Sequence, residues 1–132
     1  NRLREVFAST PQPATRIEAY NRLDQEFVDR CTAIITENIT VPDFSIEMLA
    51  QEMGMSRTSV FVKLKAITGT TPNDFIKLIR LKVACKLMAE GHYRATEVGF
   101  LVGFNSSSYF AKCFFKQFGM RPNDYIKSLE RQ

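Results

Sequence analysis

Two short sets of side chains in this sequence have the residue types that meet a nucleic acid. Arg57, Thr58, Phe61, Val62 and Lys65 form one; Ser107, Ser108, Tyr109 and Lys112 form the other. Arginine and lysine supply charged donors, hydroxyls donate or accept, and phenylalanine and valine offer only apolar contact. Each set is interleaved with an apolar stripe at helical spacing, Val60, Leu64 and Ile67 in one case and Phe110, Phe114 and Phe118 in the other. Each also lies in a window without acid. No Asp or Glu occurs between Glu52 and Asp74, where Arg57, Lys63 and Lys65 are present. None occurs between Glu97 and Asp124, where Lys112, Lys116 and Arg121 are present. Two acid-free faces in register point to a polyanion as their partner.

The two windows belong to a unit used twice. Gly69-Thr70-Thr71-Pro72-Asn73-Asp74-Phe75-Ile76-Lys77 is matched by Gly119-Met120-Arg121-Pro122-Asn123-Asp124-Tyr125-Ile126-Lys127. Upstream, Glu47-Met48-Leu49-Ala50 through Gly54-Met55 answers Glu97-Val98-Gly99-Phe100 through Gly103-Phe104. The unit reads as helix, tight turn, helix, Gly-x-x-Pro and a further helix. The copies differ in the turn: Phe104 stands one residue further from Phe110 than Met55 does from Val60.

The elements that must hold these faces follow from periodicity and punctuation. Phe27, Cys31, Ile34 and Ile35 predict a helix from Asp24 to near Asn38. Ser45 caps a helix that turns Ile46, Leu49, Ala50 and Met53 inward and stops at Gly54. Ser56 caps the next. A long helix over 72–91 carries Phe75, Ile76, Ile79, Val83, Leu87 and Met88 and connects the two copies, with Arg80 and Lys82 read as solvated charges. In the second copy Thr96 is the expected cap of a helix holding Val98, Leu101 and Val102. Asn105 or Ser106 caps the helix of the phenylalanine stripe, and Pro122 opens a last helix through Leu129. With no strand signal, the fold class is all-α, about seven helices in two helix-turn-helix subdomains, over about 44–69 and 95–119, joined by the long central helix.

Composition narrows the remaining possibilities. The chain has 132 residues, is 45% hydrophobic and carries a net charge of +4. Residues 1–22, with Ser9-Thr10-Pro11-Gln12-Pro13-Ala14-Thr15, have linker composition, and residues 23–132 make one domain. The first residue is Asn rather than Met, as expected of a piece of a longer protein. Cys31, Cys85 and Cys113 lack metal-ligand spacing and read as buried thiols. His92 stands alone at a helix end, so no metal site, cofactor or nucleophile–base pair is expected and the chain does not read as an enzyme. No apolar run is long enough for a membrane span.

Val98 through Phe110 (VGFLVGFNSSSYF) with Phe114-Phe115-Lys116-Gln117-Phe118-Gly119-Met120-Arg121-Pro122 resembles the DNA-binding domain of AraC/XylS-type bacterial transcription regulators. Met55 through Gly69 (MSRTSVFVKLKAITG) is similar to the form found in hybrid two-component regulators of Bacteroidetes. The resemblance spans about 27–129, and Asn1 to Asn21 resembles the connector that follows a receiver domain there. It implies sequence-specific binding of double-stranded promoter DNA, with one helix of each copy in successive major grooves. It also implies RNA polymerase as a partner, dimerisation outside this segment and no small-molecule ligand in this domain. The implied place is the cytoplasm, including the cytoplasmic part of a membrane-anchored sensor-regulator.

Carried over residue by residue, Thr58, Phe61 and Val62 match positions where the family contacts bases, and Ser107, Ser108, Tyr109 and Lys112 match them in the second copy. The sequence departs from the family at Val62, where a polar side chain or Arg is common, so readout there has to be apolar, against a thymine methyl, or absent. Arg57 completes the base-reading set. Ser56 and Ser106 at helix starts, with Lys63, Lys65, Lys116 and Arg121, are the phosphate candidates. The rival function is a protein-interaction or dimerisation module with Phe61, Val62 and Tyr109 as exposed anchors.

Overall fold

The computed structural model describes residues 22–130, so the expected linker over 1–22 lies almost wholly outside the described residues. Seven helices follow one another: α1 Arg22–Glu37, α2 Ile46–Met53, α3 Arg57–Thr68, α4 Pro72–Glu90, α5 Ala95–Leu101, α6 Ser107–Phe118 and α7 Pro122–Glu130. There is no strand among the described residues. Four helices start on a hydroxyl that accepts a backbone N–H of the first turn: Ser45 from Met48, Ser56 from Ser59, Thr71 from Asp74 and Ser106 from Tyr109. Those contacts satisfy N–H groups that the helix itself cannot pair.

Two apolar cores form on either side of α4. The first gathers α1, α2 and α3 around Phe27, Cys31, Ile35, Leu49, Val60 and Leu64. The second gathers α5 and α6 around Val98, Phe104, Phe110, Phe114 and Phe118, with Tyr125 and Ile126 of α7 against it. Phe75, Ile76 and Ile79 of α4 enter the first core, while Leu81, Ala84, Cys85 and Met88 enter the second; Val83 touches both. The helix therefore buries apolar residues around much of its circumference. Leu78, Leu81, Ala84 and Cys85 join the residues its single expected stripe contained.

Arg80 and Lys82 depart from the expectation. Arg80 is only 5% exposed. Its Nη1 donates to the carbonyls of Ile39 (2.9 Å) and Val102 (2.6 Å), and its Nη2 to that of Val41 (2.7 Å). Ile39 and Val41 lie in the loop after α1, and Val102 in the turn after α5. One guanidinium from the connector thus ties both units together. Burial pulls its pKa down, yet an arginine with three acceptors keeps its proton. Lys82 is half-buried, and burial lowers its pKa too.

The backbone also corrects the register of the repeat. Met55 N–H donates to the Ala50 carbonyl and Phe104 N–H to the Gly99 carbonyl, so Ala50 and Gly99 are equivalent. Glu47 accordingly corresponds to Thr96, not to Glu97. The extra residue of the second turn is Asn105, which stands between Phe104 and the cap Ser106. Glu97 instead acts on its own helix start, its Oε1 accepting the Arg94 N–H at 2.9 Å. That bond starts α5 at Ala95, and Thr96 lies inside the first turn rather than capping it.

Side-chain volumes compensate across the copies. Ala50 and Val60 in one unit stand where Gly99 and Phe110 stand in the other. A Cβ on Gly99 would stand 2.8 Å from the Phe110 ring. Gly99→Ala should lower the unfolding free energy by about 1–3 kcal/mol in urea titrations, because the ring has no room to retreat. Arg80→Met leaves three carbonyls without their donor. It should cost about 3 kcal/mol in the same assay; an unchanged midpoint would show that the guanidinium holds nothing.

Candidate nucleic-acid interface

Which way α3 and α6 present their side chains follows from what they bury. Val60, Leu64 and Ile67 close the first core and Phe110, Phe114 and Phe118 the second. At about 100° per residue, Thr58, Val62 and Lys65 point away from the Val60 stripe, and Phe61 borders it. Thr58, Phe61, Val62 and Lys65 are exposed, Val62 by 60%. In α6 the corresponding residues are Ser108, Ala111, Lys112 and Phe115; all but half-buried Ala111 are exposed. Ser107 is half-buried at the helix start.

Three candidates are held by the protein itself. Arg57 Nε lies 2.8 Å from Glu47 Oε1, linking the first residue of α3 to the first turn of α2. Hydrogen bonds from its own backbone and from the Ser45 side chain, with Arg57 beside it, hold the Glu47 carboxyl below the usual carboxylate range. The Tyr109 ring packs on Phe104, with centroids 5.8 Å apart, and Lys77 Nζ of α4 sits 5.7 Å from its centroid. Contact with the Tyr109 side chain raises the Lys77 pKa. Lys63 leaves α3 on the far flank from Phe61, its Nζ 4.7 Å from the centroid of Phe27 in α1.

The phosphate candidates are spread around the two helices. Ser56 and Ser106 serve as caps, each accepting a backbone N–H at 3.1 Å. Lys65 and Lys116 are exposed on α3 and α6. Arg121, just before α7, shares a surface cleft with Ser107 and Ser108, so the structure brings these three together. Sequence reasoning missed two residues here. Lys77 sits beside α6, a placement only the helix crossing reveals. Phe115, 54% exposed, occupies the position of Lys65 in the other copy; aligning the copies would have found it.

No cluster of three or more potential metal ligands exists among the described residues. No described helix is long and apolar enough to cross a membrane.

The helix-turn-helix domain model matches residues 49–128. The chain belongs to the AraC-type helix-turn-helix family of transcription regulators. It is 34% identical over 131 residues to Histidine kinase P4 of Formosa agariphila, covering 99% of this chain and 10% of that protein. It is 30% identical over 98 residues to the RCS-specific HTH-type transcriptional activator RclR of Escherichia coli, covering 73% of this chain and 34% of the relative. The chain thus spans about a third or less of the length of each of these two relatives. Among solved structures, the DNA-binding domain of AdpA, determined in complex with a target DNA, matches with a TM-score of 0.68. That match has 25% identity and covers 82% of this chain and 93% of the other.

Within this AraC-type domain the thiols lie in the two cores. Burial pushes Cys31 and Cys85 up to about 12. A raised pKa keeps a thiol protonated, and the thiolate is the nucleophile. At about pH 8, near the ordinary thiol pKa, both should therefore resist iodoacetamide in the native protein and react once urea unfolds it. Mass spectrometry of the alkylated peptides reads this directly.

Proposed function

We propose that this domain binds promoter DNA sequence-specifically and controls transcription, with α3 and α6 entering successive major grooves on one face of the duplex. The observation that carries the proposal is the pair of outward faces, both free of acid and both fixed to α4. At 1.5 Å per residue its 19 residues make a strut of about 28 Å, close to the roughly 34 Å between successive major grooves.

The residues divide by chemistry. In the first unit Phe61 and Val62 read thymine methyls, the apolar groups of the major groove, while Thr58 hydrogen-bonds a base edge. In the second, Ser107, Ser108, Tyr109 and Lys112 supply polar contacts. Lys65, Lys116 and Arg121, with Lys63 and the helix starts at Ser56 and Ser106, take phosphates and set register without reading sequence. Thymine readout accounts for the exposure of Phe61 and Val62, and a polar contact to DNA for that of Tyr109, which is 49% exposed. A separate protein-docking role for these residues is therefore not adopted.

The near-complete match to a small part of a histidine kinase supports a further assignment: the output domain of a hybrid two-component regulator, with dimerisation elsewhere in the protein and RNA polymerase as its partner. Its place would be the cytoplasm, or the cytoplasmic part of a membrane-anchored sensor.

Selection from a random duplex pool should return two conserved blocks about one helical turn apart. On the selected site, log affinity should fall linearly with log salt. Lys116→Ala should weaken selected and random duplex alike and flatten that slope by about one unit. Absence of any retarded duplex at low salt would refute DNA binding.

A further inference from the structure

We infer that Glu47 is a positioning residue that holds Arg57 for the recognition of a guanine in the first half-site. The inference rests on α3 being a DNA-reading helix. A carboxylate at the rim of a face that meets a polyanion weakens binding unless something offsets it. Glu47 is such a carboxylate, and its Oε1 is 2.8 Å from Arg57 Nε.

The contact engages the Nε of the guanidinium. Glu47 is the one ion-pair partner of Arg57 among the described residues, and beyond that contact lie the two terminal Nη groups. They form a planar pair of donors with the spacing of guanine O6 and N7, the commonest specific contact in the major groove. A free arginine at the first position of a helix can swing to any nearby phosphate and reads nothing. One whose Nε is held by a second helix has fewer places to go, so its donors can demand a particular base edge.

The second unit lacks this arrangement. Thr96 stands in the place of Glu47, and Ser107 in the place of Arg57. Arginine-based guanine readout therefore belongs to the first unit alone. Both partners are 62% exposed, so the pair adds little to the stability of the fold and its variants remain folded.

The test uses the full chain and the duplex it selects from a random pool. Each guanine of the first block is replaced in turn by 7-deazaguanine, which lacks the N7 acceptor. For the wild type, one replacement should weaken binding about tenfold. Arg57→Ala should bind the guanine and 7-deazaguanine duplexes equally. Glu47→Ala, which removes the acceptor, should reduce the wild-type ratio several-fold, even if loss of a negative charge tightens binding to both. The ratio cancels that general effect, and matching thermal transitions of the variants would exclude misfolding. An unchanged ratio in Glu47→Ala overturns the positioning role. An unchanged ratio in Arg57→Ala, or no sensitive guanine, overturns the guanine assignment while leaving DNA binding intact. Failure to select any site removes the DNA-binding reading, and this inference with it.

Discussion

The arrangement of the whole domain depends on a buried cation with no carboxylate paired to it among the described residues. Arg80 leaves α4 and donates to the carbonyls of Ile39, Val41 and Val102, which belong to the two halves of the molecule. Removing a guanidinium from water is costly, and only well-placed acceptors offset that cost. Once they do, the arrangement becomes hard to change, because any sliding of one unit past the other strands both the charge and the carbonyls. Gly103 completes the contact. Its φ of 94° suits a residue without Cβ, and a Cβ there would collide with Arg80 Nη1.

From that constraint the geometry of reading follows. α4 supplies side chains to both cores, so α3 and α6 are each packed against the same rigid element. Neither reader has a flexible linker with which to adjust its spacing. The copies can nevertheless differ in chemistry, since only their buried faces are bound by this arrangement. Asn105 lengthens the second turn, Phe115 replaces Lys65, and Lys112 replaces Val62. One scaffold thus carries two unequal faces.

Much of this is legible in the sequence, for reasons that are local. Hydroxyl caps at Ser45, Ser56 and Ser106, the stripe from Phe110 to Phe118 and prolines at the starts of α4 and α7 act within a turn or two of chain, and all appear where periodicity puts them. What escapes depends on contacts distant in sequence. Arg80 looks like a surface charge until the Ile39–Val41 loop and the Val102 turn are brought to it. The flanking Leu78, Ile79 and Leu81 are the one hint that its surroundings are apolar. Thr96 looks like a cap because the Glu97–Arg94 contact runs from side chain to backbone and needs no capping hydroxyl. The Arg57–Glu47 and Lys77–Tyr109 contacts join different helices, and no spacing rule reports them.

The central claim is that two readers are fixed on one body, and spacer insertion into the selected duplex tests it most directly. A rigid domain predicts that about five added base pairs, half a helical turn, between the two blocks abolish the contribution of one block. About ten added pairs, which restore the helical face but not the distance, should do the same. Recovery of full affinity with that longer spacer would contradict the account, because it would require the two units to separate along the DNA.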